Sequence, residues 1–289
     1  MENKVFGYIL AFSAAFGFLG VGCENKTGEE SHAEIAVTNS YLGCAVLELC
    51  SDDDDTEVLC LAPPGMCPGH FDISPLQVKQ LCDCRMLLLF DFQKQVAQTL
   101  SRMKKRGLKT ALVRETGGLC VPETYLAVCR EVSDILLSEY PEMNDRYQQR
   151  LEDIGNNLKH LRQELFEKMQ QAGISSAKVL ASNHQADFLN WLGLETIATF
   201  VGSDVETVAG IDRCIRKAEG QDVRFVIANK QEGTAMAKAL AERLGARVVV
   251  FSNFPELIGG TSGFDALLRA NVDALLRANV GNPLEVARQ

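Results

Sequence analysis

The segment LAPPGMCPGHFDISP, residues 61–75, joins the end of an apolar strand to the start of a helix. Its Pro-Pro-Gly turn ends the strand, and Ser74 followed by Pro75 is typical of a helix cap and first turn. Cys67 and His70 lie on the loop between them. A thiolate and an imidazole on a stiff loop suit a transition-metal site, and the alternative is a proline-rich connector that happens to carry both residues.

Strand and helix patterns alternate on both sides of this segment. Short apolar runs predict strands at 35–38, 57–61, 86–90 and 110–113, and again at 178–182, 196–200, 223–228 and 247–251. Helical spacing predicts helices at 41–49, 75–81, 92–105, 205–217 and 234–244. Such alternation is typical of parallel sheets covered on both faces. The sequence therefore predicts an α/β protein of two lobes, each a four-stranded, mainly parallel sheet flanked by helices.

A single apolar stripe runs along the segment between the two lobes. Its members are spaced by three or four residues and are Met143, Tyr147, Leu151, Ile154, Leu158, Leu161, Leu165 and Met169. Pro141 suits the first turn of a helix, and Gly173 suits its end. At about 1.5 Å per residue, a helix over 141–172 would be roughly 45 Å long. The pattern predicts one rigid helix that joins the lobes, with a coiled-coil dimer segment as the alternative.

The two ends of the chain have their own patterns. Lys4 and an apolar run over 5–22 end at Cys23, which has the form of a bacterial lipoprotein signal lipidated at Cys23, or of an uncleaved membrane anchor. Both interpretations place the globular part outside the cytoplasm. The octapeptide DALLRANV occurs at 265–272 and again at 273–280, which we interpret as one terminal helix lengthened by a duplication. The predicted divisions are a signal at 1–23, a tether at 24–33, a lobe at 34–140, a linking helix at 141–173, a lobe at 174–280 and a disordered tail at 281–289.

Composition and motifs exclude several classes of function. The chain has 29 basic and 38 acidic residues, which argues against a nucleic-acid partner because phosphate binding needs a basic face. Its ten cysteines do not form the paired C-x-x-C sets of a structural zinc ribbon. No nucleophile elbow, phosphate loop or dinucleotide fingerprint occurs, so we expect a binding protein and not an enzyme.

Metal-capable residues follow several of the predicted strands. Ligands of open parallel sheets bind beyond the carboxyl ends of the strands. Residues in such loops are Cys67, His70, Cys120, Glu123, His184, Ser252, Asn253 and Glu256. Of the four histidines, only His70 and His184 lie in these loops, one in each lobe. Cys120 is equally compatible with a buried packing cysteine, Glu123 suits a helix start, and Ser252 and Asn253 suit a turn.

Five segments together resemble the family of metal-binding lipoproteins that supply zinc or manganese ABC importers (cluster A-I type). PPGMCPGHFDISP resembles the family's Pro-Pro-Gly loop that leads to Asp-Pro-His. CVPETYLAVCREVSDIL resembles the helix after its second ligand loop, and NHQADFLNWLGLE resembles its third loop and helix. GFDALLRANVDAL resembles its closing helix, and the helix at 141–172 resembles its rigid backbone helix.

The ligand residues depart from the three imidazoles and one carboxylate that are usual in this family. Cys67 stands where Asp precedes Pro, Gly69 replaces the first His, and His70 comes one place later. Gly117 lies where the second His would fall, which leaves Cys120 as the nearby candidate. In the second lobe His184 matches the third position, and the carboxylate position falls on Ser252 or Asn253.

The resemblance implies a protein that captures a metal ion between its lobes without chemistry. The implied ligands are Cys67, His70, Cys120 and His184, and two thiolates with two imidazoles favour zinc among divalent transition metals. The ion is cargo, the implied partner is an ABC permease in the membrane, and the implied state is a monomer. Alternatives are a binding protein for a metal chelate or another small ligand, or a metal-dependent adhesin or enzyme on the same fold.

Overall fold

The computed structural model describes residues 33–50, 56–66, 73–93, 107–202, 207–258 and 262–280, together with 96, 98 and 100. The predicted signal with Cys23, most of the predicted tether and the predicted tail lie outside these residues, as do Cys67 and His70. In the part of the chain that is described, no helix has the length and the apolar character needed to cross a bilayer.

The first lobe is built on a parallel sheet of four strands. The strands are β1 (Ile35–Asn39), β2 (Val58–Ala62), β3 (Met86–Phe90) and β4 (Lys109–Val113), in the order β2-β1-β3-β4. The central strands β1 and β3 are buried along their whole length, which explains why β3 is entirely apolar and why β1 begins with three apolar residues before the buried Thr38 and Asn39. The helices described in this lobe are α1 (Ser40–Cys50), α2 (Pro75–Leu81) and α3 (Pro122–Leu137).

Helix α2 begins where the sequence predicts. The Gln77 N–H donates to Ser74 Oγ at 3.2 Å, and the Ser74 N–H donates to Gln77 Oε1 at 3.0 Å. This reciprocal capping box satisfies two N–H groups that the first turn leaves free. Pro75, in the first turn, needs no such partner. The Ser-Pro pair therefore defines the end of the loop that carries Cys67 and His70.

The two lobes are joined by a long helix, as predicted. A 3-10 turn at Pro141–Met143 precedes α4 (Asn144–Gln171), whose 28 residues make it about 42 Å long. The predicted apolar stripe faces the core, and its buried members are Tyr147, Ile154, Leu158, Leu161, Leu165 and Met169. Gly173 ends the helix in the left-handed region at φ +63°, with the hydrogen bonds of a Schellman motif.

The second lobe repeats the topology of the first. Its strands are β5 (Lys178–Ser182), β6 (Glu195–Phe200), β7 (Phe225–Asn229) and β8 (Arg247–Phe251), all parallel in the order β6-β5-β7-β8. Its helices are α5 (Ala186–Trp191), α6 (Val208–Ala218), α7 (Ala235–Leu244) and α8 (Phe264–Val280). The tandem octapeptide lies within the single helix α8, as predicted.

The predicted fold class is confirmed, and the differences concern the ends of elements. Strand β7 begins at Phe225 and ends at Asn229, whereas the sequence predicts 223–228. Helix α6 begins at Val208, with Thr207 as its cap, whereas the predicted start is at residue 205. A 3-10 turn at Asp91–Gln93 occupies the start of the predicted helix 92–105, and most of the rest of that helix lies outside the described residues.

One apolar core extends through both lobes. Side chains from β1 and β3, from β5 and β7, and from α4 and α8 form a single contiguous cluster. At its centre three aromatic rings meet: Tyr41 of α1, Tyr125 of α3 and Phe264 of α8. Phe264 stacks on Tyr125 with 3.9 Å between ring centroids, and Tyr41 contacts Tyr125 edge-on at 5.3 Å. Helix α8, the last helix in the described residues, therefore packs against the first lobe.

We predict opposite effects for two glycine substitutions in and after α4. Gly155→Ala should raise the free energy of unfolding by about 0.5–1 kcal/mol, because alanine loses less backbone entropy in a helix interior. The added Cβ would lie 3.6 Å from Leu126 Cδ2, an ordinary contact. Gly173→Ala should lower the free energy of unfolding by about 1 kcal/mol, because φ is +63° there. Chemical denaturation of both variants measures this, and equal effects would contradict it.

Candidate metal site between the lobes

Loops that follow the strands of one sheet contact loops that follow the strands of the other. After β2, the Pro64 carbonyl accepts a hydrogen bond from Gln231 Nε2, after β7, at 2.7 Å. A Cβ at Gly118, in the loop after β4, would lie 2.5 Å from the Cβ of Asp187 in α5. The carboxyl edges of the two sheets therefore face a common junction, where ligands of parallel sheets bind.

His184 lies in a 3-10 turn, Asn183–Gln185, directly after β5. Its backbone N–H donates to Ser182 Oγ at 3.3 Å, which fixes the turn at the end of the strand. The imidazole is 64% exposed, and its Nε2 lies 3.5 Å from Glu232 Oε1. The ring is thus accessible to an ion from solvent.

Cys120 is buried at the junction of the lobes. Its thiol can donate to the Ser252 carbonyl at 3.2 Å or to Asn253 Oδ1 at 3.4 Å, and the sulfur accepts from Asn271 Nδ2 at 3.7 Å. Burial raises the pKa of the Cys120 thiol far above its ordinary value, and the Asn271 hydrogen bond opposes this shift. The thiol is therefore protonated at neutral pH and must lose its proton to bind a metal ion.

Neutral amides surround Cys120 and extend to the residue beside His184. Gln185 Nε2 donates to Asn253 Oδ1 at 2.9 Å, and the Asn253 N–H donates to Gln231 Oε1 at 3.2 Å. Gln185 is fully buried, and its Oε1 accepts no hydrogen bond from the described residues. The network links the turn of His184 to the loop of Cys120 through hydrogen bonds between uncharged groups.

Carboxylates give the junction a negative field. Desolvation raises the pKa of Glu115, His184 opposes this shift, and Asp91 and Asp187 add to it. These groups therefore lie within electrostatic range of one another at the ends of β3, β4 and β5. A field of this sign attracts cations to the imidazole of His184.

Two of the four predicted ligands are among the described residues. Cys120 and His184 both lie at the junction, while Cys67 and His70 lie outside the described residues. Within those residues, no group of three or more His, Cys, Asp or Glu side chains is arranged to hold a metal ion. The predicted set of four ligands therefore stays a prediction.

The remaining candidates have structural partners. Ser252 Oγ accepts from the Phe254 N–H at 3.3 Å, which is the turn that its sequence suggests. Glu123 lies in the first turn of α3 and pairs with Arg162 at 3.3 Å. Glu256 lies 3.9 Å from Lys230.

Four carboxylates at the junction are absent from the sequence-based set of candidates, namely Glu115, Asp187, Asp91 and Glu232. Asp91 directly follows β3, and Glu232 comes three residues after β7. Both follow the third strand of their lobe, whereas the candidates follow the first, second or fourth strand. The same rule, that ligands bind beyond the carboxyl ends of parallel strands, indicates these two loops as well.

Two parallel sheets with facing loops and a rigid connecting helix define a two-lobed binding protein. The family model of ZnuA, described as zinc-uptake complex component A, periplasmic, matches residues 120–278, more than half of the chain. The chain belongs to this family. The resemblance to metal-binding proteins of this type is thereby confirmed, as is the expectation that the chain is not an enzyme.

Solved structures share the fold at low sequence identity. A Mn-bound periplasmic metal binding protein from Candidatus Liberibacter asiaticus superposes with a TM-score of 0.70 at 11% identity, covering 85% of this chain and 98% of its own. A crystal structure of ZnuA superposes with a TM-score of 0.68 at 18% identity, covering 86% and 99%. No curated protein sequence matches this chain.

The close contact at Gly118 gives a testable prediction. Gly118→Ala should lower the free energy of unfolding by about 1–3 kcal/mol, because the new Cβ would overlap the Asp187 side chain across the junction. Gly65→Ala is the matched control, since a Cβ there has no heavy atom within 4 Å. Chemical denaturation measures the free energy of unfolding of both variants. Equal stability would show that the loops of Gly118 and Asp187 can separate freely.

Proposed function

We propose that this protein captures a divalent transition metal ion, with zinc favoured, between its two lobes outside the cytoplasm and delivers it to an ABC permease. The proposed ligands are Cys67, His70, Cys120 and His184, and the protein acts as a monomer. Cys23 is the proposed site of lipid attachment. Membership of a family described as a periplasmic zinc-uptake component supports the cargo and the compartment.

The observation that carries this proposal is the path from the Pro-Pro-Gly turn to His184. The Pro64 carbonyl contacts Gln231 at 2.7 Å, and the next residue, Glu232, contacts the His184 ring at 3.5 Å. Cys67 follows Pro64 by only three residues, a reach of at most about 11 Å along the chain. This reach would allow the Cys67 thiol to approach the exposed imidazole, and we propose that both bind one ion.

The ligand types support zinc over manganese. Thiolate and imidazole are the ligands that zinc prefers, whereas manganese favours carboxylates and other oxygen ligands. The net charge of −9 and the carboxylates near His184 favour the approach of a cation. Capture forms only coordination bonds between the ligands and the ion. It therefore requires only that the ligands lose their protons and that the loops close on the ion.

Zinc titration of the protein tests the proposal. We expect one zinc ion to bind per chain at neutral pH, and we expect His70→Ala with His184→Ala to weaken binding by at least 100-fold, because two of four ligands are lost. His160→Ala is the matched control, since this exposed imidazole lies on α4. Isothermal titration calorimetry measures the affinities. Unchanged binding in the double variant would refute the proposal.

The state of Cys120 predicts how binding depends on pH. Because burial raises the pKa of this thiol, coordination at pH 7 must release its proton, and zinc affinity should increase as the pH rises. Cys120→Ser keeps a hydroxyl for the Ser252 carbonyl, and this variant should release about one proton fewer per zinc ion. Calorimetry in buffers of different ionisation enthalpy counts the protons. An equal count in both proteins would remove Cys120 from the ligand set.

A further inference from the structure

A carboxylate outside the proposed ligand set lies against the imidazole of His184. Glu232 belongs to the 3-10 turn Lys230–Glu232, which follows β7, and β7 is the neighbour of β5 in the sheet. Its side chain is only 18% exposed, although the ring that it contacts is 64% exposed. A largely buried carboxylate beside an accessible imidazole is the arrangement found behind metal-binding histidines.

The Glu232 carboxylate is fixed from one side by Ser182. Ser182 Oγ donates to Glu232 Oε2 at 2.5 Å and accepts from the His184 N–H at 3.3 Å. Ser182 is itself buried at the end of β5. One hydroxyl thus ties the carboxylate to the turn that carries the ring, with Oε1 at 3.5 Å from Nε2.

The backbone at Gly202 packs against the aliphatic part of the Glu232 side chain. A Cβ built on Gly202 would lie 3.1 Å from Glu232 Cβ and 3.5 Å from its Cγ, so the backbone after β6 packs directly on the glutamate. The ends of β5, β6 and β7 therefore all contribute to the position of one side chain. Glu232 has little freedom to move away from His184.

We propose that Glu232 is the positioning residue for His184, holding the ring through Nε2 so that Nδ1 is presented to the metal ion. A histidine ligand binds metal through one nitrogen, and the hydrogen bond at the other nitrogen fixes its tautomer and orientation. This inference rests on the proposed function, since it assumes that His184 is a ligand. It adds a residue that the thiol and imidazole pattern of the sequence does not contain.

Two variants test the role of Glu232, one that removes the charge of its side chain and one that keeps it. Glu232→Gln removes the charged acceptor at nearly constant volume, and zinc affinity should fall about 10- to 100-fold. Ser182→Ala leaves the charge of Glu232 in place but frees its carboxylate, and zinc affinity should also fall, by a smaller factor. Glu195→Gln is the matched control. This exposed glutamate is the first residue of β6 and so lies at the amino ends of the parallel strands, opposite the carboxyl ends where Glu232 lies. Zinc affinity is measured by competition with a chromophoric chelator.

A double-mutant cycle separates positioning from bulk charge. If Glu232 acts through the ring, Glu232→Gln should cause no further loss in a His184→Ala background. The visible spectrum of the Co²⁺-loaded protein should change in both Glu232→Gln and Ser182→Ala, because the geometry of the imidazole ligand changes. Chemical denaturation of each zinc-free variant shows whether it is folded.

The outcomes distinguish this inference from the proposed function. Zinc affinity unchanged in His184→Ala would refute His184 as a ligand, whatever Glu232 does. A loss in His184→Ala without a loss in Glu232→Gln would refute the positioning role alone. Equal losses for Glu232→Gln in both backgrounds, or wild-type affinity in Ser182→Ala, would assign Glu232 a general electrostatic effect and also refute positioning.

Discussion

The packing of Phe264 on Tyr125 is the contact on which the arrangement of the lobes depends. Phe264 is the first residue of α8, and Tyr125 belongs to the first lobe. Both rings are almost fully buried. Together with α4, this contact makes the cores of both sheets continuous. Separating the lobes would expose aromatic surface to water, at a cost of about 25 cal/mol for each Å². The facing loops are therefore held in register by an apolar core that lies behind them.

The junction between the lobes combines neutral and charged groups in separate places. Buried amides and the protonated thiol of Cys120 form hydrogen bonds at its base, where an unpaired charge would be costly, and of the Gln185 amide only Nε2 takes part. The ionisable side chains, His184 with Glu232 and the carboxylates near Glu115, lie where solvent reaches them or where a partner is present. An ion bound here would meet a negative field without requiring a bare charge in the core.

The sequence predicts the fold well because the signals that determine it are local. Each central strand contains a run of at least three apolar residues because it is buried on both faces, and the Ser74 cap and the stripe on α4 are formed by residues close in sequence. The site is harder to predict, because its contacts join distant residues. Glu232 meets Ser182 across 50 positions, and Cys120 meets Ser252 across 132. Spacing along the chain gives no sign of either pair.

The octapeptide duplication in α8 shows how identical sequences take on different structural roles. Eight residues advance an α-helix by two turns and about 80° more, so matching residues of the two copies do not face the same neighbours. Asn271 of the first copy bonds Ser252 at the junction, whereas Asn279 of the second bonds the Ala172 carbonyl at the end of α4. The two copies are thus not interchangeable. Deleting either copy would leave the same sequence, with its asparagine at the position of Asn271, so a chain with a single copy would lose the bond that Asn279 makes to the end of α4.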